Sequence, residues 1–129
     1  MEIAEYRKLA EVEDAMWYFR ALHGHIERAL ASALGARDAA VLDAGCGTGG
    51  LIRRLAPRHA AWRWTGVDVE PLACALARER TAGASAEIRE ASVTALPLGY
   101  AAFDAVVSAD VLYHVDDDAA ALREFFRVL

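Results

Sequence analysis

The sequence predicts an α/β fold built on a doubly wound parallel sheet, and three observations predict it. Apolar runs at residues 39–44, 62–69 and 103–109 alternate with segments of helical periodicity joined by short connections. The first run leads directly into a glycine loop, Val41-Leu42-Asp43-Ala44-Gly45-Cys46-Gly47-Thr48-Gly49-Gly50. The residues with chemical potential fall just after each strand, at 43–50, 68, 92 and 108–114, where such sheets place their ligands.

Each element follows from its own pattern. Residues 2–34 carry Met16, Phe19, Leu22, Ile26, Leu30 and Ala33 at helical spacing, so two helices are expected, with a break near Asp14 and a stop at Gly35. Inside the second lies Trp17-Tyr18-Phe19-Arg20, more bulk in succession than one helical face can bury. These side chains either pack on the first helix or form a lid over a ligand at the glycine loop, and both readings stand. Residues 39–44 are nearly continuous in apolar character, as befits a parallel strand covered on both faces. Residues 48–59 set Leu51, Ile52, Leu55 and Ala56 at helical intervals, and Pro57 should end or kink that helix. Residues 62–69 form a second strand with Asp68 at its C-terminal end. Pro71 suits the first turn of the next helix, and Gly83 sits where a helix stops. Residues 84–91 set Ala86 and Ile88 against Glu87, Arg89 and Glu90, the pattern of an edge strand. After the turn-rich Leu96-Pro97-Leu98-Gly99, residues 103–109 read as a buried central strand. The last segment starts on Asp116, Asp117 and Asp118, which suit a helix N-terminus, and is expected to bury Leu122, Phe125, Phe126 and Leu129.

The 129 residues suffice for one domain, with a helical lead-in at 1–37 and a sheet core at 38–129. Mean hydropathy is +0.17, yet no apolar run approaches the roughly 20 residues that cross a bilayer, so no membrane partner is expected. The start, Met-Glu-Ile-Ala-Glu-Tyr, lacks the basic and apolar regions of a signal peptide, which points to a cytoplasmic protein. A net charge of -5 and a pI near 5.3 argue against a general nucleic-acid binder, because phosphate contacts need a basic surface. A small-molecule substrate is the expectation instead. Cys46 and Cys74 have no paired metal spacing and read as reduced thiols, with no metal site expected.

Glycines at 45, 47 and 50 allow a sharp turn, close approach to a ligand and entry into a helix. That pattern alone is common to many nucleotide folds. Asp68, 18 positions after Gly50, falls where an acid would grip ribose hydroxyls. Asp43 is the discriminating residue. A carboxylate two positions before the first glycine opposes a pyrophosphate and welcomes a cationic ligand. The alternatives are structural: Asp43 bracing its own loop, Asp68 capping the helix near Pro71, and His114 serving as a hydrogen-bonded structural residue.

The run 41–49, then Gly66-Val67-Asp68, then Ala95-Leu96-Pro97-Leu98 and Phe103-Asp104-Ala105-Val106-Val107-Ser108, closely resembles class I S-adenosylmethionine-dependent methyltransferases, the small-molecule-type branch best. The Trp17-Tyr18-Phe19-Arg20-Ala21 stretch resembles the aromatic lead-in of some members. The resemblance implies an incomplete Rossmann-like sheet of about four strands in order 3-2-1-4, helices on both faces and an N-terminal helical lid. It implies S-adenosyl-L-methionine as cofactor. The loop at Ala44, Gly45, Cys46, Gly47 and Gly49 would hold its methionine part, and Asp43 its ammonium. Asp68 would accept from the ribose hydroxyls, Val69 would pack on adenine, and Ser108 would complete the site. Ser92 stands where the family commonly has an Asp that accepts the adenine amino proton, and the Val93 N–H would serve a ring nitrogen. One fewer strong acceptor lowers affinity by about a kcal/mol.

Methyl transfer to a hydroxyl needs a base, and His114 is the candidate on the correct edge. Members of this family usually continue through further strands after the last helix. The chain is therefore expected to be C-terminally truncated, with a partner or self-association covering the sheet edge at 103–109. Three functions are weighed: a methyltransferase of uncertain activity, a non-catalytic S-adenosylmethionine-binding module or partner subunit, and a nicotinamide-dependent oxidoreductase. Asp43 and the later motifs disfavour the last.

Overall fold

The computed structural model describes residues 2–129. In chain order the elements are α1 (Ile3–Val12), α2 (Trp17–Leu34), β1 (Ala39–Ala44), α3 (Gly50–Leu55), β2 (Trp62–Asp68), α4 (Pro71–Arg80), β3 (Ala86–Glu90), β4 (Ala105–Val107), a 3-10 turn (Leu112–His114) and α5 (Asp118–Val128). All pairings in the four-stranded sheet are parallel, and the strand order is β3-β2-β1-β4. This is the expected Rossmann-like arrangement.

β1 is the hub, with Val41 opposite Trp64 on one side and Ala105 on the other. Its side chains alternate between two apolar clusters, as the two-residue period of a strand requires. Ala39 and Val41 meet Leu30, Leu34, Ile52, Leu55 and Ala77 from α2, α3 and α4. Leu42 and Ala44 meet Ala121, Phe125 and Val128 of α5. Helices therefore cover both faces, which is why β1 reads as an unbroken apolar run.

The punctuation acts as its chemistry dictates. Gly35, at a φ of 62°, closes α2. The helix after the glycine loop stops at Leu55, two residues before Pro57. Asp117 caps α5, its Oδ1 accepting from the Ala120 N–H at 2.9 Å. The alternative that Asp68 caps the helix near Pro71 is corrected: Glu70 is the cap residue, its side chain accepting from Leu72 N–H.

Two further expectations are corrected. Residues 103–109 do not form a buried central strand; β4 keeps three residues and lies at the sheet edge. The Phe103 N–H turns away to the Val128 carbonyl, and Asp110 adopts a left-handed φ of 57°, so both ends leave the ladder. On α5 the buried stripe is Ala121, Phe125 and Val128, while Leu122, Phe126 and Leu129 are exposed. The Arg127 guanidinium donates to the carbonyls of Leu96 and Leu98, and Glu124 accepts from Leu96 N–H. These bonds fix the rotation of the helix about its axis. Sequence spacing alone allows either stripe. No helix among the described residues is long and apolar enough to cross a membrane.

Candidate active site

A cavity of about 840 Å³ opens beyond the C-terminal ends of β1, β2 and β3, within the range of small-molecule and cofactor sites. Its floor is the glycine loop, and its roof is made by Tyr6 and Leu9 of α1 and by Phe19, Leu22, His23 and Ile26 of α2. The parallel sheet delivers the floor, because a strand that ends under a helix must turn sharply at its C-terminal end. Gly45 makes that turn at a φ of 86°, and a Cβ there would fall inside the Val111 side chain. The amides of Gly45 and Cys46 both donate to the Val67 carbonyl at 2.8 Å, which holds the loop against the end of β2.

Asp43 lies at the end of β1, 4% exposed, and lines the cavity. Burial, reinforced by Asp68 and Glu13, pushes its carboxyl up from 3.8 to about 7. An acid so placed becomes a strong acceptor when a cation arrives to share the site. Asp68 Oδ2 accepts from the Gly47 N–H at 2.9 Å, and its Oδ1 accepts from the Glu70 N–H at 3.0 Å. One carboxylate thus braces the glycine loop and the following turn, and each oxygen keeps a lone pair for a ligand. Tyr6 reaches the same corner: burial first, then the neighbouring Asp68 and Glu70, push its phenol above the ordinary value.

Of the residues singled out by sequence, Asp43, Gly45, Cys46, Gly47, Asp68, Val69, Ser92, Val93 and His114 all line this cavity. Ala44 is buried in the opposite face of the sheet. Gly49 packs against Ala77 of α4, and Ser108 has a buried hydroxyl with no hydrogen-bond partner away from the lining residues. The Ser92 hydroxyl pairs with Thr94 Oγ1 at 2.7 Å and accepts the Thr94 N–H at 3.2 Å. The aromatic lead-in divides by helical geometry. Phe19 faces the cavity, Tyr18 donates to Asp110 Oδ2 at 2.7 Å, and Trp17 (78% exposed) and Arg20 point to solvent. His114 is exposed at the rim, its ring against Tyr113.

The structure adds residues that sequence reasoning missed. Glu13, at the joint between α1 and α2, forms a buried ion pair with Arg80 of α4. Thr48 joins them, donating to Glu13 Oε1 at 2.6 Å and accepting from Arg80 Nη1 at 2.8 Å. The Glu13 carboxylate occupies the space a Cβ on Gly50 would need, so that glycine is what admits the roof to the floor. His23 is the second omission. It falls on the stripe Phe19, Ile26 and Leu30 at i+4, i−3 and i−7, and a polar residue on an apolar stripe was the available signal. Among the described residues no group of metal-ligating side chains occurs, and both cysteines are free and buried.

Comparison with known proteins agrees with this geometry. A family described as "Methyltransferase domain" matches residues 41–129. The chain is 36% identical over 115 residues to a malonyl-[acyl-carrier protein] O-methyltransferase of Enterobacter lignolyticus, covering 83% of this chain and 43% of that protein. It is also 36% identical over 125 residues to a demethylmenaquinone methyltransferase of Thermus thermophilus, covering 95% of this chain and 53% of that one. A SAM-dependent methyltransferase from Aquifex aeolicus superposes with a TM-score of 0.79 at 18% identity, over 99% of this chain and 67% of the other, and shows the shared fold. The chain spans about half or less of the length of the curated relatives it matches.

Proposed function

The chain belongs to the methyltransferase-domain family, whose cofactor is S-adenosylmethionine, and on that premise we propose that it transfers the methyl group of this cofactor to a small-molecule acceptor. The observation that carries the proposal is the convergence of Asp43, Asp68 and the glycine loop on one cavity. A buried carboxyl raised to about 7 suits a ligand that brings an ammonium, and the close, side-chain-free approach at Gly45 and Gly47 suits a ligand laid along backbone amides. The cavity residues therefore fit the cofactor.

In this reading Asp43 orients the ammonium, and the loop from Gly45 to Thr48 holds the methionine part. Asp68 accepts from the ribose hydroxyls while continuing to brace Gly47. Val69 covers the adenine, with Ser92 and Val93 at its edge and Ser108 behind the site. The cofactor supplies an electrophilic methyl on a sulfonium that is already a good leaving group. The protein's share of the work is alignment and exclusion of water, which α1 and α2 provide as a roof. His114, on the rim, takes the proton of a hydroxyl acceptor. Calorimetric titration with S-adenosylhomocysteine and with NAD tests the cofactor assignment, and NAD binding in place of S-adenosylhomocysteine overturns it. Release of labelled methyl from S-adenosylmethionine separates catalysis from binding alone. His114→Ala should lower turnover of a hydroxyl acceptor about 100-fold, the scale of one general base; unchanged turnover across pH removes His114 from the mechanism.

A further inference from the structure

The cavity is lined by carboxylates on Glu13, Asp43, Asp68, Asp110, Asp116 and Asp117, and among the described residues no lysine or arginine lines it. Glu13 is balanced by the Arg80 guanidinium behind the wall. Asp68 accepts from two backbone amides and Asp110 from the Tyr18 hydroxyl, so both are hydrogen-bonded and neither is neutralised. Asp43 has less still: it is 4% exposed, lines the cavity and accepts no hydrogen bond from any described residue. Burial, then the neighbouring charges of Asp68 and Glu13, act on its carboxyl with nothing to oppose them. A buried acid without a partner, beside a second acid, is the part of a site that a ligand completes.

Depth decides which of these charges a ligand feels. Asp110, Asp116 and Asp117 are exposed at the rim, where water and salt screen them. Asp43 and Asp68 sit on the floor at the ends of β1 and β2, where the dielectric is lower and each unit of charge weighs more. S-adenosylmethionine and S-adenosylhomocysteine bring the same ammonium and the same carboxylate to that floor. They differ by one methyl group and one positive charge: the sulfonium carries it, and the thioether of the spent form does not.

We infer that Asp43 and Asp68 make this cavity selective for the charged form of the cofactor, so that it binds S-adenosylmethionine more tightly than S-adenosylhomocysteine and releases the spent form readily. The inference rests on the methyltransferase reading of the cavity. It gives the two acids a role beyond their contacts with the ammonium and the ribose, which both forms share. Their combined field, unbalanced by any lining lysine or arginine among the described residues, is what distinguishes one form from the other.

The test titrates the full chain by calorimetry at about pH 8, where Asp43 is ionised. The ligands are S-adenosylmethionine, S-adenosylhomocysteine and sinefungin, an analogue with an ammonium-bearing carbon in place of the methylsulfonium. S-adenosylmethionine and sinefungin should each bind about tenfold more tightly than S-adenosylhomocysteine, the scale of one added charge in a partly screened site. Asp43→Asn should weaken all three and narrow that preference to about threefold or less, because the ammonium contact is common to them and the second positive charge is not. Asp116→Asn, on the exposed rim, should leave the preference within about twofold of its original value. S-adenosylhomocysteine binding as tightly as S-adenosylmethionine, or sinefungin binding no better than S-adenosylhomocysteine, overturns the inference while leaving the cofactor assignment intact. Loss of the preference in Asp116→Asn puts the discrimination at the rim and overturns its assignment to Asp43 and Asp68. Binding of none of the three overturns the methyltransferase reading itself, and this inference with it. The comparison of the three ligands on the unmodified chain decides the matter if Asp43→Asn does not fold.

Discussion

Replacing Asp43 with asparagine should make the ligand-free protein more stable while weakening its affinity for cofactor. Asp43 is fully buried among Asp68 and Glu13, and its carboxyl is raised from 3.8 to about 7. A raised acid binds more protons in the folded chain than in the unfolded one, so stability falls as pH climbs from about 4 to about 7. Below 3.8 both states are protonated and the difference vanishes; above 7 both are ionised and the penalty is constant. At about 1.4 kcal/mol per pH unit, the three-unit rise amounts to roughly 4 kcal/mol near pH 8, and to under about 2 kcal/mol near pH 5. The asparagine keeps the shape without the charge. Its stability advantage in urea denaturation should therefore be about 3 kcal/mol larger near pH 8 than near pH 5. Cofactor binding runs the other way, because an arriving ammonium favours the ionised acid. Calorimetry on the unmodified chain should show S-adenosylhomocysteine affinity rising about tenfold per unit up to pH 7 and levelling above it, and Asp43→Asn should abolish that slope. A variant equally destabilised at both pH values would show that Asp43 braces its loop through hydrogen bonds and carries no stored charge penalty.

Two other perturbations follow from the packing between roof and floor. Arg80→Met leaves the Glu13 carboxylate buried beside Thr48 without its partner and should cost about 3–5 kcal/mol in urea denaturation, with a substantial part regained in the Glu13→Gln, Arg80→Met double variant. Gly45→Ala forces a side chain into a φ of 86° and against Val111, so it should lose about 1–3 kcal/mol of stability and bind S-adenosylhomocysteine at least about tenfold more weakly, by melting and calorimetry.

The floor of this site is legible in the sequence and the roof is not, for a physical reason. Asp43, Gly45, Gly47 and Asp68 are placed by the ends of buried parallel strands, whose apolar runs and glycine turns leave few alternatives for where the chain goes next. β1 reads correctly to the residue because both of its faces are covered. β4 does not, because apolar composition cannot tell a central strand from an edge strand whose ends are drawn off to α5 and the loop. The roof depends on pairings across long separations. Glu13 meets Arg80 67 positions away, and Tyr18 meets Asp110 92 positions away. Each of these residues is an ordinary polar position on an amphipathic helix or in a loop until the fold brings them together. The same holds for α5, where two stripes share Phe125 or its neighbours and only the Arg127 bonds to Leu96 and Leu98 select one. The floor, built on the strand ends, can thus be read before folding is known. The roof is built on helix faces such as that of Phe19, Leu22, His23 and Ile26, and it becomes visible only once packing shows which side of α2 meets the cavity.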